Sequence, residues 1–564
     1  MRSVLGWLLV GLLGLSSLHG KNLLLSIPAQ DCSCGEGFSA SAELLQQDTA
    51  ISTYKITFPS PIRTSLPENN TVPGELFLPR AAEDDRGSHS LPAVLVFHIL
   101  HGNYELERLL CGSLARAGIP AMFCKMPYFD ERAGQAGRGA IFASTDVFLE
   151  SFTQGQADAR RAIDLLTSLP AVDAGKIGVA GTSLGAILST SLCGNEPRIR
   201  RVAAMLGGGD LRRIFSFARE TRQFQNFISR QTPPDQERIW SLLARIDPLA
   251  QAAALQNLSR RGALMLVFAE NDDVIPPDCA RQLATASACQ NVTWLPGATH
   301  YTAIAALPGL VKQNVAFFAA DLPAAASASA PAGQEALAQV AAICSAWAKM
   351  FTPPAPGKGH ALQLQGSISA AAQKHQFSLS FLRHGNSFRL SGNIPELGEF
   401  SCGADAAGTP WMGGKNQRLF IGRGEAQPGR TAAQYITPRR YFRFQMGSSF
   451  LAALENAPEI LNQYLDLQSD SLADGSRRLS LRSKNGLIAG EIVLTLDGAG
   501  QLRALAFDLG KYRGEIQVSQ CLANGEVSVP ADFPAGMQAQ EVRQEDLLRM
   551  WAAIWEFFLE KIDP

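Results

Sequence analysis

The chain has 564 residues, with 50 Lys+Arg against 51 Asp+Glu and a formal net charge of -1. That length exceeds what a single core usually fills, so more than one domain is expected. The balanced charge excludes the basic footprint of a nucleic-acid binder, no Cys or His spacing suggests a zinc site, and a small-molecule substrate without metal or organic cofactor fits best.

Met1-Arg2-Ser3, an apolar run over 4–15 and Ser16-Ser17-Leu18-His19-Gly20 resemble a secretory signal peptide over 1–20. The run has h-region length and is too short to span a bilayer. An exported protein, periplasmic or secreted, is expected; without an Ala-x-Ala site, an uncleaved anchor is the alternative. No later segment is long and apolar enough for a transmembrane helix. Ten cysteines are compatible with disulfides in an exported chain, with Cys279–Cys289 and Cys402–Cys521 as candidate pairs. Cys111, Cys124, Cys193 and Cys344 lie in apolar runs and read equally as buried thiols.

Strand-like runs at 93–98, 119–125, 176–180, 202–206, 263–269 and 291–295 alternate with helical segments, the pattern of a parallel sheet covered on both faces. The third run leads into Gly181-Thr182-Ser183-Leu184-Gly185, followed by the apolar helix face Ala186-Ile187-Leu188. Strand, Gly-x-Ser-x-Gly and helix in that order read as a nucleophile elbow, whose turn is too tight for large side chains beside the serine. The simpler alternative is a tight strand-to-helix loop with Ser183 as N-cap.

After the Gly207-Gly208-Gly209 turn, residues 210–255 carry helical periodicity and no strand signal, either a lid over the site or a helical excursion at the sheet's edge. A serine hydroxyl needs a base, normally His, oriented by a carboxylate. Between Ser183 and residue 322 the only histidine is His300, in a Gly loop after the last strand. The segment 264–276 ends in Glu270-Asn271-Asp272-Asp273-Val274-Ile275-Pro276, and Asp272 is preferred there over Asp273.

The order Ser183, Asp272, His300 and the elbow resemble an α/β-hydrolase of the dienelactone hydrolase and prolyl-oligopeptidase-like esterase group, over roughly residues 60 to 320. The lead-in helix 157–166 and the partly matched acid loop, with Ala269 where the group usually has Gly, belong to the same resemblance. It implies Ser183 as nucleophile, His300 as general acid/base, Asp272 as its orienter and the Leu184 amide as one oxyanion donor. The second donor should lie in His98-Ile99-Leu100-His101-Gly102-Asn103, with Ile99 first and Asn103 as rival. His98 and His101 either line the pocket or satisfy backbone groups.

Residues 322–336 read as an Ala/Pro/Ser linker between an α/β-hydrolase domain, 21–321, with a doubly wound, mostly parallel sheet, and a separate α+β domain, 337–564. A helix at about 335–350, hairpins at 377–390 and 492–509, a strand at 515–521 and a final amphipathic helix over 545–562 describe a largely antiparallel second domain. Trp551, Trp555, Phe557 and Phe558 on that last helix should pack on the sheet. The domain also resembles periplasmic lipoprotein-carrier proteins, which implies an apolar concave face for an acyl or lipid ligand; a compact accessory domain with its own core is the alternative.

The expected function is an exported serine hydrolase that cleaves a small-molecule carboxylic ester through an acyl-enzyme. A prolyl-oligopeptidase-like peptidase and a non-catalytic lipid- or ligand-binding protein are the alternatives, the former lacking a preceding propeller repeat.

Overall fold

The most apolar runs of the chain become the central strands of one sheet in the computed structural model, which describes residues 22–83, 89–100, 103–322, 334–350, 354–370, 373–394, 398–413, 418–423, 451–484, 490–510, 512–530 and 536–562. The expected leader, 1–20, and most of the expected linker, 323–333, lie outside the described residues, as do His101 and Gly102 and the side chains of 555, 557 and 558. The chain divides into two compact units between Ala328 and Ser329.

Among the described residues the first unit holds ten strands: β1 Asn22–Ile27, β2 Phe38–Gln47, β3 Ile51–Pro59, β4 Thr71–Pro79, β5 Leu91–Phe97, β6 Ala121–Cys124, β7 Val172–Thr182, β8 Ile199–Met205, β9 Leu264–Ala269 and β10 Val292–Leu295. They lie in the order β1-β2-β3-β4-β6-β5-β7-β8-β9-β10. The six expected strands are β5 to β10 and run parallel. β1 to β4, outside the six strands expected from the sequence, add an antiparallel wing joined through β4 to β6.

All six residues of β9 are buried, the run expected of a strand covered on both faces. Helices α1 Glu105–Arg116, α2 Thr145–Thr167, α3 Leu184–Leu192 and α4 Leu307–Ala319 are among those that cover the sheet. One face buries Leu95, Val179 and Leu266 with residues such as Ile163 and Leu166 of α2; the other buries Val94, Val96 and Val267 with Leu114 of α1 and Phe318 of α4. The order changes direction at β5, which lies between β6 and β7, and such a switch point opens a crevice at the carboxyl ends of the strands.

Residues 210–255 are helical as expected, in Leu211–Phe217, Arg222–Ser229 and Pro233–Ile246. Their apolar faces meet Phe148, Ile187, Val274 and Ile275 in a separate cluster.

Among the described residues the second unit has a twelve-stranded sheet in which every neighbouring pair is antiparallel except Arg418–Arg423 with Gln538–Arg543. The expected first helix is α5 Gln334–Lys349 and the last is α6 Gln544–Ile562. Phe381 pairs with Leu390 in one expected hairpin, and Glu491–Leu496 pairs with Leu502–Asp508 in the other. Trp551 of α6 meets Phe388 edge to face, its ring centroid 5.5 Å away.

All ten cysteines are free thiols, so neither candidate disulfide forms. Cys402 and Cys521 sit on strands separated by three others, four inter-strand spacings apart along the sheet. Cys279 is buried with the helical excursion, while the Cys289 thiol faces the carbonyls of Leu264 and Asn291. Among the described residues no helix is long and apolar enough to cross a membrane.

Behind β4 and β6, Arg132 is fully buried and pairs with Asp158 at 2.8 Å, donating also to the carbonyls of Lys125 and Asn69. Removing one partner of such a pair leaves an uncompensated buried charge. Arg132→Met is expected to lower stability by about 3–5 kcal/mol in urea denaturation, and a loss near zero would show that Asp158 finds another partner.

Candidate active site

At the end of β7 the backbone makes one abrupt turn. Ser183 has φ 55° and ψ −115°, and α3 starts at the next residue. A non-glycine residue in this sparsely populated region costs roughly 1–3 kcal/mol and persists only when its surroundings fix it. Here the Ser183 amide donates to Met205 O at 2.8 Å, and its carbonyl accepts from Ala186 and Ile187. The two glycines are demanded by space: a Cβ on Gly181 would stand 2.3 Å from the carbonyl carbon of Gly185, and one on Gly185 would stand 2.2 Å from Phe97 O. The strand, turn and helix thus pack against β5 with no room for side chains.

Asp272 follows β9 and is buried, its Oδ1 accepting from the amides of Val274 at 2.9 Å and Ile275 at 2.8 Å. Those two bonds fix the carboxylate plane. His300 follows β10; its Nδ1 lies 2.9 Å from Asp272 Oδ2 and its Nε2 lies 3.0 Å from Ser183 Oγ. Asp273 Oδ1 instead accepts from the His300 amide at 3.2 Å. The adjacent carboxylates therefore divide the work, Asp272 on the ring and Asp273 on the backbone. Asn271 donates to Ala298 O and Gly297 to Glu270 Oε2, so the two loops are joined at several points.

Ser183, His300 and Asp272 form one hydrogen-bonded chain from residues 117 and 28 positions apart in sequence. With Asp272 accepting at Nδ1, the neutral ring carries its proton there, and Nε2 is left to accept from the serine hydroxyl. That is the arrangement required to activate a hydroxyl nucleophile.

Leu184 is the first residue of α3, where a backbone amide has no acceptor within its own helix. Ile99, named first for the second donor, lies on the loop after β5. Its amide donates to Glu107 Oε1 at 3.0 Å, a bond committed to α1 rather than to Ser183. Sequence inspection misses this because the acceptor is a side chain eight positions away that folds back only once α1 forms. Asn103 is exposed on the same loop; its Oδ1 accepts from the Glu105 amide at 3.4 Å and its carbonyl from Arg108 at 2.9 Å.

His98 is buried and serves backbone groups. Its Nε2 accepts from the Met126 amide at 3.0 Å, so the ring proton sits on Nδ1 and donates to Ile99 O at 2.7 Å. Burial holds its pKa down at about 4, with the charges of Arg138 and Lys125 acting in the same direction, and it is neutral at pH 7. One contact not expected from the sequence ties the site to the helical excursion: the Tyr301 hydroxyl, next to His300, donates to Glu220 Oε1 at 2.7 Å.

Residues 80–312 match the Dienelactone hydrolase family. The first unit is an α/β-hydrolase, and the second is a separate β-rich domain with an antiparallel sheet. Among solved structures, an acetyl xylan esterase from Paenibacillus sp. R4 is similar at 19% identity and TM-score 0.39, covering 52% of this chain and 92% of that one. Acetyl xylan esterase 1 from Thermoanaerobacterium sp. JW/SL YS485 is similar at 17% and 0.36, covering 55% and 90%. A cold-adapted esterase from an Arctic intertidal metagenomic library is similar at 16% and 0.31, covering 48% and 96%. No curated protein matches the sequence.

Because the Gly185 contact is backbone against backbone, neither side can rotate away. Gly185→Ala is expected to reduce hydrolytic activity about 100-fold or more, the scale set by a displacement of the reacting group of the order of 1 Å. Gly309→Ala, at an exposed position where a Cβ meets nothing within 4 Å, should leave activity unchanged. Equal rates for the two variants would show that the elbow tolerates a side chain.

Proposed function

We propose that the protein is an exported serine hydrolase that cleaves a small-molecule carboxylic ester through an acyl-enzyme. The observation that carries this reading is the chain Ser183 Oγ to His300 Nε2, and His300 Nδ1 to Asp272, at 3.0 and 2.9 Å. His300 takes the Ser183 proton as Oγ attacks the ester carbonyl, and then gives it to the departing alkoxide. Water attacks the acyl-serine in the second half, with His300 as base toward water and acid toward Ser183. Asp272 holds the ring and stabilises the imidazolium formed in each half.

The developing oxyanion faces the Leu184 amide at the start of α3, where the helix dipole favours negative charge. The second donor belongs to the loop after β5, and Asn103 is the sequence candidate that remains once the Ile99 amide is assigned to Glu107. The helical excursion presents Phe224 and Phe227 beside Phe142 and Phe148, an apolar mass joined to the His300 loop through Tyr301 and Glu220. This favours an ester with an apolar group toward that side. Export rests on the apolar run over 4–15, and the reading assigns no ligand to the second unit.

The test is hydrolysis of p-nitrophenyl esters of increasing acyl length, with labelling by a fluorophosphonate. Ser183→Ala should lose about 10^4-fold or more in kcat and all labelling. Ester hydrolysis equal in parent and variant, or a label on another residue, would overturn the assignment; cleavage of peptides but not esters would replace the substrate class.

A further inference from the structure

Behind the elbow lies a cavity of about 10 Å³, the size of one water, lined among others by Phe97, Glu107, Gly181, Thr182, Met205 and Asn314. Two of these residues are buried polar side chains with no place in the hydrolytic chain. Asn314, on α4, is fully buried; its Nδ2 donates to Leu310 O at 2.8 Å, while its Oδ1 has no hydrogen-bond partner. Glu107, on the first turn of α1, is buried as well, and its Oε1 accepts from the Ile99 amide at 3.0 Å. A buried carboxyl is costly to keep, and one whose acceptor is spent on a loop amide needs a reason.

We propose that Glu107 is a positioning residue of the oxyanion side: from behind the elbow its carboxyl group holds the Ile99 amide and so sets where the loop after β5 leaves the sheet. The inference rests on the serine-hydrolase reading, because that loop is the one expected to supply the second oxyanion donor. In its neutral form Glu107 accepts from Ile99 through the carbonyl oxygen and keeps a hydroxyl to donate. The cavity it shares with Asn314 has room for a water that accepts this proton and donates to Asn314 Oδ1, which satisfies both groups.

Burial drives the Glu107 carboxyl up to about 7; the Ile99 amide and Arg108 act against this rise, and Glu105 with it. Tyr104, just before α1, and Cys111 on α1 feel its charge, whereas β7 and α4 face it with Thr182 and Asn314, which do not titrate. A raised carboxyl pKa means that the folded protein binds more protons than the unfolded chain between about pH 4.5 and 7. Its contribution to stability is therefore lost as pH rises through that window.

The experiment compares Glu107→Gln and Glu107→Ala. The Gln side chain keeps an acceptor for Ile99 and cannot ionise; Ala removes the acceptor. Glu107→Ala is expected to lower kcat about 10-fold or more at pH 6 with KM changed less than 2-fold, roughly what losing alignment of one oxyanion donor allows, and Glu107→Gln should restore kcat to within about 2-fold of the parent. The Tm of Glu107→Gln relative to the parent should rise from pH 5 to pH 8. Parent-like kcat in Glu107→Ala, or an equal loss in both variants, would overturn the proposal. Fluorophosphonate labelling of Ser183 in the parent separates the two ideas: if it fails, the hydrolase reading itself fails, whereas a labelled parent with indifferent Glu107 variants removes only the positioning role.

Discussion

The close approach of three backbone segments, β7 at Gly181, α3 at Gly185 and β5 at Phe97, is the constraint from which the rest of the site follows. With a Cβ excluded at both glycines by contacts of 2.2 and 2.3 Å, the chain can turn from strand to helix within the single residue Ser183. The cost of its φ of 55° is met by fixed neighbours: Met205 of β8 accepts its amide, and the start of α3 takes its carbonyl. Because β5, β7 and β8 are adjacent parallel strands, that turn is placed at the carboxyl edge of the sheet, between the loop after β5 and the loops after β9 and β10.

The other half of the site is held by carboxylates that speak to backbone as well as to His300. Asp272 accepts two amides of its own loop, and Asp273 and Glu270 each accept an amide from the loop after β10. The imidazole is thus located from both ends, by its ring nitrogen and by its own backbone. Orientation of this kind costs little at the moment of reaction, because the dipoles are set during folding.

The parallel strands and the Ser183, Asp272 and His300 positions were legible in the sequence because each is encoded locally: apolar runs, a Gly-x-Ser-x-Gly between strand and helix, a carboxylate and a histidine just past strand ends. The antiparallel wing was not. β2 alternates small residues, with Phe38, Ala40 and Ala42 buried between exposed serines, and β4 carries Pro73, Gly74 and Pro79, which read as turn rather than strand. These pair because neighbouring strands supply partners, a tertiary effect that propensity does not record. The bond of the Ile99 amide to Glu107 was hidden for the same reason, its partner arriving from another element. Cysteine content alone does not encode that Cys402 and Cys521 lie four strand spacings apart.

Two buried ionisable groups flank the backbone of Ile99, and burial pushes them in opposite directions: His98 down to about 4 and Glu107 up to about 7. Both shifts favour the neutral form, so between about pH 4 and 7 the loop after β5 is supported by hydrogen bonds rather than by charge. His98 donates to the Ile99 carbonyl while Glu107 accepts from the Ile99 amide, which holds the two peptide units on either side of the Ile99 Cα. On the proposed serine-hydrolase reading, an oxyanion beside this loop would meet oriented dipoles, and ionising Glu107 would place a carboxylate near it, in a region where its field is weakly screened. On that reading, a pair of neutral clamps suits the loop after β5 better than an ion pair would.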